Sequence, residues 1–442
     1  MRARFEPAPL VLAAALPFLF LHRHYQPSVS LGSFDANLSD LAVLAVVAGA
    51  LIAERPLRLP GPRAIWVAWG ALLVWIAVSV VYGRLLDPAY PLKAHAVTAA
   101  KFAEYALLAP AAALILRRAE ARLLAAAVAV GWCCVLALVA LLQFLGLASE
   151  FEGRRPGQRE PSLAGIHDLG AISGTVLALA LVAVVLGAPE VARRRGAVAA
   201  GVAGAIGVSI AAALDSVAAL VLSAVTIWLA AAHRKRVSIG RTIALVAIVA
   251  GVSFAAVTLR ASSIQAFLRF VGIEQQAATT GGVQSYAHRT LLAYVGVRIW
   301  IDHPLLGVGW QGSSDPFAFE PELAQAHERF PAEPAEAFPS VEHPWGVQNG
   351  PVQALADLGP VGLLAFLAVF LVPLAATART AWRSAGEHAV AALVVACALI
   401  FSLAVITGSG LVTGAPLDAL LWLAVGAAAA VASGRTRSPG TV

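Results

Sequence analysis

The sequence predicts an all-α fold, that of a polytopic membrane protein with about twelve transmembrane helices. Of its 442 residues, 60% are hydrophobic and only 13% are charged, whereas a soluble domain carries about 25% charged residues. Apolar runs long enough to cross a bilayer recur along most of the chain. A single long polar segment, residues 259–350, separates the ninth run from the tenth.

The predicted spans are apolar runs of about 20 residues, the length that a helix needs to cross the hydrocarbon core. They lie near residues 8–21, 38–53, 65–82, 96–116, 123–147, 163–187, 197–213, 217–232, 240–258, 351–376, 389–407 and 416–433. The first run is short enough for a signal peptide, but no clear cleavage site follows it, so we interpret it as a span. The chain then divides into spans one to nine (1–258), a large partly helical loop (259–350), and spans ten to twelve with a tail (351–442).

Lysine and arginine are unevenly divided between the two sides of the predicted membrane. Most of the 31 basic residues fall in alternate short connections, and positive connections stay on the cytoplasmic side. We therefore expect a multi-pass protein of the cytoplasmic (inner) membrane, with both termini cytoplasmic and the large loop extracytoplasmic. The net charge of +6 follows from this distribution, so no nucleic-acid partner is predicted.

The sequence offers no pattern typical of a cofactor site. Cys133, Cys134 and Cys397 all lie within apolar runs, where cysteine usually packs as a small hydrophobe. His22 and His24 have no carboxylate beside them at helical spacing, and no glycine-rich nucleotide loop is present. We expect neither a metal nor a nucleotide cofactor.

The large loop contains its own pattern of elements. Helical spacing of apolar residues predicts an amphipathic helix near 286–302, ended by His303-Pro304. Gly307, Gly309 and Gly312 then permit tight turns. Residues 315–342 are acidic and rich in proline, which predicts an irregular, solvated lid. Pro351 suits the first turn of the next span.

Within this loop, Arg289 and the sequence around His343 are candidates for chemistry. Arg289 could bind a phosphate through two parallel hydrogen bonds, or it could anchor an interfacial helix. His343 could act as a general base. Gln348 and Asn349 could hydrogen-bond sugar hydroxyls, and Asn349 could equally cap the next helix.

Two further sets of charged residues lie outside the large loop. Arg154, Arg155 and Arg159 share one connection and could hold a diphosphate, or they could lie near anionic lipid headgroups. Lys101 and Glu104 are one helical turn apart within a predicted span. They could line a substrate path or form a structural ion pair.

The stretch from Arg289 through HPLLGVG to Gly309, and then Asn349 followed by Gly359 and Gly362, resembles the O-antigen ligase and O-antigen polymerase superfamily. The span count and the position of the large loop are also similar to that family's layout. The resemblance implies transfer of a glycan from an undecaprenyl-diphosphate carrier to an acceptor hydroxyl on the outer side of the membrane. It implies a lipid-linked glycan donor, a glycan, lipid or protein acceptor, contact with membrane lipids, and no nucleotide or metal cofactor.

Carried over by residue, the resemblance matches Arg289 to the family arginine that faces the carrier diphosphate. Asn349 and Gly359 match the family's His-Asn and glycine positions. Gln348 stands where the family has histidine, and Asp215-Ser216 stands where it often has Ser-Arg.

These departures leave three interpretations of the sequence. The first is a divergent enzyme in which His343 and the arginines of residues 154–159 take over the missing roles, with Asp215 at the substrate site. The second is a transporter or flippase of a lipid-linked glycan. The third is an inactive structural partner in an envelope complex.

Overall fold

The computed structural model of the chain describes residues 7–30, 35–53, 58–186, 191–270, 285–412 and 414–434. Some of the basic residues that predict the orientation in the membrane, namely Arg2, Arg4, Arg55, Arg435 and Arg437, lie outside the described residues. The fold is helical apart from one small antiparallel sheet of β1 (Ser28–Ser30) and β2 (Asp35–Asn37), which pairs Val29 with Ala36.

The α-helices of the described residues follow one another from α1 to α17. They are α1 (Pro7–Leu19), α2 (Leu38–Ala53), α3 (Arg63–Leu86), α4 (Leu92–Ala106), α5 (Leu108–Ile115), α6 (Ala119–Phe144), α7 (Ile166–Leu186), α8 (Val191–Ala211), α9 (Leu214–His233), α10 (Ile239–Leu259), α11 (Ala261–Phe270), α12 (Ser285–Asp302), α13 (Pro316–Phe319), α14 (Leu323–Arg329), α15 (Gly350–Arg383), α16 (Gly386–Gly408) and α17 (Ala415–Ala432). Short 3₁₀ turns lie at Arg23–Tyr25, Gly312–Ser314, Glu320–Glu322 and Ala335–Ala337.

Nine helical stretches in the described part of the chain are long and apolar enough to cross a membrane. They are α3, α4 with α5 as one stretch (Leu92–Ile115), α6, α7, α9, α10, α15, α16 and α17. Three more apolar helices, α1, α2 and Arg195–Ala211 of α8, are shorter than a full span. The all-α membrane class is therefore confirmed, whereas the count of twelve spans stays a prediction.

The centre of the bundle is formed by α7 and α17. In their most apolar windows, 78% and 83% of the residues are buried, against 17% in α10 and 22% in α6. Large apolar side chains such as Leu138 on α6 and Phe254 on α10 are exposed. In a membrane protein such side chains face lipid, because the bilayer core is as apolar as the side chains themselves.

The helix α15 is kinked at Gly359, near the end that borders the cavity, and neighbouring groups donate hydrogen bonds to the carbonyls at the kink. Gly359 has a positive φ of 67° with ψ −174°, a conformation that glycine alone adopts readily. Pro360 has no N–H to donate within the helix. The carbonyl of Leu358, which directly precedes the kink at Gly359, accepts a hydrogen bond of 2.9 Å from the Trp75 indole of α3.

The glycine-rich turn after α12 packs on the same break. The backbone N–H groups of Val308 and Gly309 donate to the carbonyls of Ala356 and Asp357, each at 2.9 Å. A Cβ on Gly307 would lie 2.4 Å from the Ala356 carbonyl oxygen, so the turn and α15 approach as closely as two backbones can. The turn at HPLLGVG and the segment from Asn349 to Gly362, which together carry the family resemblance, therefore pack directly against each other.

A second proline break lies between α4 and α5. Pro110 cannot donate to the Ala106 carbonyl, and the Trp69 indole of α3 donates to that oxygen at 3.0 Å. The helix α3 therefore supplies an indole N–H to each of two interrupted helices.

The helix α12 runs from Ser285 to Asp302, where the sequence predicts an amphipathic helix near 286–302. Its buried apolar residues, among them Leu291 and Val295, form a separate hydrophobic core with Phe319 and Phe338. Residues 315–342, expected to be irregular, instead contain α13, α14 and two 3₁₀ turns. The difference arises because the aromatic side chains of this acidic segment have an apolar helix face to pack against.

Candidate functional site

A cavity of about 310 Å³ opens at one end of the helical bundle, where α7, α9 and α15 begin and where α10 and α16 end. The helix α12 lies across this end. The lining residues include charged and polar side chains from six elements: Arg159, His167, Asp215, Arg260, Tyr286, Arg289, Thr290, Gln348, Asn349 and Thr407.

Positive charge exceeds negative charge in this cavity. Arg159, Arg260 and Arg289 line it, and Asp215 is the one carboxylate among its described lining residues. Arg260 is 5% exposed, and its Nε has no hydrogen-bond partner in the described structure. Its guanidinium lies 4.8 Å from the centre of the Tyr286 ring. Within the described residues no ion pair joins Arg260 to a carboxylate, and a buried cation without such a partner is costly. The described lining of the cavity is therefore suited to an anionic ligand.

The pKa shifts of two of the arginines have the same cause. Burial lowers the pKa of Arg159 to about 9, and the charges of Arg260 and Arg154 act in the same direction. Burial also lowers the pKa of Arg289, although the Asp215 carboxylate opposes this shift. Both directions mean that the surroundings disfavour the positive charge, and a bound anion would reverse this.

A chain of hydrogen bonds links Asp215, His167 and Arg289. The Asp215 Oδ2 lies 2.9 Å from His167 Nδ1, and His167 Nε2 lies 2.9 Å from Arg289 Nη2. The other oxygen of Asp215 accepts the backbone N–H of Ser216 at 2.6 Å, in the first turn of α9. The imidazole is thus held at both nitrogens, at the cavity end of α7.

Gln348 and Asn349 both line the cavity. The Arg289 Nε donates to Gln348 Oε1 at 3.3 Å. Asn349 caps α15, since its side-chain oxygen accepts the Val352 N–H at 3.1 Å, and Pro351 follows in the first turn as predicted. The cap uses the side-chain oxygen of Asn349, so the N–H groups of its amide take no part in it.

The other arginines of residues 154–159 are not among the cavity-lining residues. Arg154 bonds the Glu152 carboxylate at 3.0 Å, and Arg155 is exposed. Only Arg159 of this set extends to the cavity. The structure thus divides a group that the sequence presents as one.

His343 also lies apart from the cavity lining. It is exposed, and its ring stacks on Trp345 with 5.8 Å between ring centres. The histidine that the structure brings to Arg289 is instead His167, from the other half of the chain.

Lys101 and Glu104 lie near the start of α2, away from the lining of the cavity. Lys101 Nζ donates to Asp40 Oδ2 at 2.6 Å and to the Asp35 carbonyl at 2.7 Å. We call Asp40, Lys101 and Glu104 the α2–α4 cluster. It joins two helices to each other, and Asp40 also accepts the backbone N–H of Asn37 at 2.8 Å.

The cavity contains two functional candidates that sequence reasoning missed, His167 and Arg260. Each lies at a helix end on the side of the membrane predicted for Arg289. This position is the one signal in the sequence that could have identified them. Neither belongs to a local motif, because their partners come from other helices. No group of three or more potential metal ligands occurs among the described His, Cys, Asp and Glu residues.

Residues 200–367 match the sequence profile of a family described as O-antigen ligase. This match agrees with the resemblance to the O-antigen ligase and polymerase superfamily over those residues. No curated protein matches it in sequence.

The O-antigen ligase match covers most of the cavity but not all of it. Asp215, Arg260, Arg289, Gln348 and Asn349 lie within the matched residues, and His167 lies before them. The family match, together with the apolar helices, supports a multi-pass membrane protein with a function in cell-surface glycan transfer.

Proposed function

We propose that this O-antigen ligase family member transfers a glycan from an undecaprenyl-diphosphate-type carrier to an acceptor hydroxyl, in the assembly of a cell-surface polysaccharide such as lipopolysaccharide. The observation that supports this most directly is the surplus of arginine in the cavity. Three guanidinium groups face one carboxylate, and a diphosphate is the anion that such a group of arginines suits best.

The arginines would act on the leaving group. As the bond between the sugar and the diphosphate breaks, negative charge grows on the departing oxygen. Arg289, with Arg159 and Arg260, would stabilise this charge where it develops, which is usually the largest electrostatic contribution to catalysis. No nucleotide and no metal is required for this step.

The distribution of charge at the two ends of the bundle supports an extracytoplasmic site. The connections at the end opposite the cavity carry Arg117 and Arg118 between α5 and α6, and Arg234 to Arg236 between α9 and α10. Because positive connections stay in the cytoplasm, the cavity would open on the outer side of the cytoplasmic membrane.

In the transfer, the acceptor oxygen attacks the anomeric carbon of the donor sugar. The bond from that carbon to the diphosphate oxygen breaks, and its electron pair leaves with the lipid diphosphate. Gln348 and Asn349 would hydrogen-bond the sugar beside the diphosphate. The acceptor would be a glycan, a lipid or a protein that offers a hydroxyl.

Reconstituted liposomes that contain a labelled glycan on undecaprenyl diphosphate test this proposal. We expect the wild-type protein to form a new glycosidic bond with added acceptor and to release lipid diphosphate. Arg289→Gln should lower turnover by about 10²-fold or more. Arg154→Gln, which removes an arginine outside the cavity lining, serves as the matched control.

Two outcomes would overturn the proposal. Movement of labelled glycan between leaflets without bond formation would identify a transporter. Full turnover in Arg289→Gln, with protein level and donor binding equal to wild type, would remove the arginine cavity from the reaction.

A further inference from the structure

We infer that His167, oriented by Asp215, is the general base of the proposed transfer, and that Arg289 covers its reactive nitrogen until a diphosphate binds. This inference rests on the proposed function and assigns the proton acceptor that the Gln348 position cannot supply. A glutamine amide has no basic nitrogen.

The partners of the ring determine which nitrogen of His167 carries the proton. An ionised carboxylate only accepts hydrogen bonds, so Nδ1 must donate to Asp215 Oδ2 at 2.9 Å. A guanidinium only donates, so Nε2 must accept from Arg289 Nη2 at 2.9 Å. Both contacts select the same neutral tautomer, with the lone pair on Nε2 facing the cavity.

This arrangement has the geometry of a carboxylate–histidine base. The carboxylate fixes the orientation of the imidazole and stabilises the imidazolium that forms when Nε2 takes a proton. Asp215 is itself held by Ser216 N–H at 2.6 Å at the start of α9. His167 is therefore the catalytic residue and Asp215 a positioning residue.

The hydrogen bond from Arg289 occupies Nε2 of His167, and binding of the lipid-diphosphate glycan donor can break this bond. A guanidinium bonds a diphosphate more strongly than it bonds a neutral imidazole, because the phosphate bond is charge-assisted. A diphosphate in the cavity would therefore draw Arg289 away from His167. The acceptor hydroxyl could then donate to Nε2, and its proton would pass to the ring as its oxygen attacks the sugar.

The charged and titratable groups that share the cavity with His167 come from several elements. They are Asp215 on α9, Arg289 and Tyr286 on α12, Arg159 before α7 and Arg260 after α10. The neighbouring Asp168 accepts a backbone hydrogen bond from Leu417 and so belongs to the contact with α17. Among the described residues that line the cavity, His167 is the one histidine.

Replacing His167 by glutamine tests the role of the base. We expect turnover to fall about 10²–10⁴-fold while the affinity for undecaprenyl diphosphate stays at the wild-type value, because the three arginines remain. Turnover of the wild-type protein should fall toward acid pH, since a protonated imidazole cannot accept a proton, and His167→Gln should lose this dependence. His327→Gln, an exposed histidine stacked on Phe338, is the control and should keep both the rate and the pH profile.

A rescue experiment separates a base from a merely structural residue. The double variant His167→Gln, Gln348→His returns an imidazole to the cavity beside Arg289, and we expect it to recover part of the lost turnover and the acid-side dependence. Asp215→Asn should lower turnover without changing affinity for the lipid diphosphate, and Asp215→Glu should recover part of it. A rate and pH profile in His167→Gln equal to wild type would overturn the inference.

The cover over Nε2 is tested by chemical modification. Diethyl pyrocarbonate acylates an unprotonated imidazole nitrogen, and mass spectrometry of the peptide that contains His167 measures the rate. We expect slow modification in the wild type and faster modification in Arg289→Gln. Equal rates in the two proteins would show that Arg289 does not cover the ring.

These experiments distinguish the failure of this inference from that of the proposed function. If the wild-type protein forms no glycosidic bond, the proposed function fails. If it forms the bond and His167→Gln does so equally well, only the assignment of the base fails.

Discussion

The chain places ionised side chains near helix ends in two regions, and the two are organised differently. In the α2–α4 cluster, Lys101 bonds Asp40 at 2.6 Å and a backbone carbonyl at 2.7 Å, so its positive charge is matched within the protein. In the cavity, three arginines share one carboxylate, and Arg260 has a buried Nε without a hydrogen-bond partner in the described residues.

The comparison distinguishes charged side chains that stabilise the fold from charged side chains that are suited to binding a ligand. A matched pair at a helix boundary stabilises the contact between two helices, and its removal leaves a partner uncompensated. An excess of positively charged side chains does not stabilise a contact between helices in this way, because neighbouring positive charges repel one another. In this molecule, the surplus surrounds Arg289, the residue that the resemblance matches to the diphosphate-facing arginine of the family.

The largest effect expected on the comparison of these two regions follows from removing a cavity charge at Arg260. We expect Arg260→Gln to weaken binding of undecaprenyl diphosphate by about 10–100-fold, since a hydrogen bond to a charged group contributes about 1.5–3 kcal/mol. The temperature of unfolding should not fall, because the substitution removes a buried charge whose Nε has no hydrogen-bond partner among the described residues. Titration with the lipid diphosphate and a thermal scan check the two results, and a lower unfolding temperature with unchanged affinity would break the comparison.

The converse result is expected for the α2–α4 cluster. Lys101→Met should lower the free energy of unfolding by about 1–3 kcal/mol, because Asp40 stays largely buried and loses its cation. Affinity for the lipid diphosphate should remain at the wild-type value. Asp40→Asn together with Lys101→Met is the control, and it should recover part of the stability. Reduced affinity in Lys101→Met would place this cluster in the substrate path instead.

The smallest expected effect concerns Glu160, which neighbours Arg159 and is 1% exposed. Burial raises the pKa of Glu160 to about 7, and the Glu150 charge acts in the same direction. The raised pKa means that the folded state favours the protonated acid. This contribution to stability is therefore fully present below the ordinary pKa of 4.5 and is lost as pH rises through 7.

Glu160→Gln should remove this pH dependence. We expect a gain in the free energy of unfolding of roughly 1–3 kcal/mol at pH 8 and little change at pH 5. Thermal scans at the two pH values measure the gain, with Glu328→Gln, at an exposed glutamate of α14, as the control. An equal change at both pH values would show that the effect is not ionisation of Glu160.

Local patterns were sufficient to predict the helices of the site but not its chemistry. The limits of α12 followed from apolar spacing and from His303-Pro304, and the Asn349 cap followed from its place before Gly350-Pro351. Arg289 could be singled out because helix, turn and cap form one stretch of chain. These features depend on neighbours in the sequence.

The partner of Arg289 could not be predicted in this way. His167 and Asp215 lie at the starts of α7 and α9, and only the packing of those helices against α12 brings the three side chains together. Charge alone was also insufficient, because Arg154 and Arg159 look alike in the sequence, yet Arg154 bonds Glu152 whereas Arg159 is buried and lines the cavity. Long-range packing decides both questions.

The two indole contacts of α3 have a consequence for the order in which the protein assembles. A buried carbonyl that has lost its helical partner costs several kcal/mol if nothing donates to it. The partner of the Leu358 carbonyl is Trp75, and the partners of the two preceding carbonyls lie in the turn after α12. All of them precede α15 in the chain. During synthesis from the amino terminus, each hydrogen-bond donor is therefore made before α15. When α15 packs into the bundle, the groups that bond the carbonyls at its kink are already present.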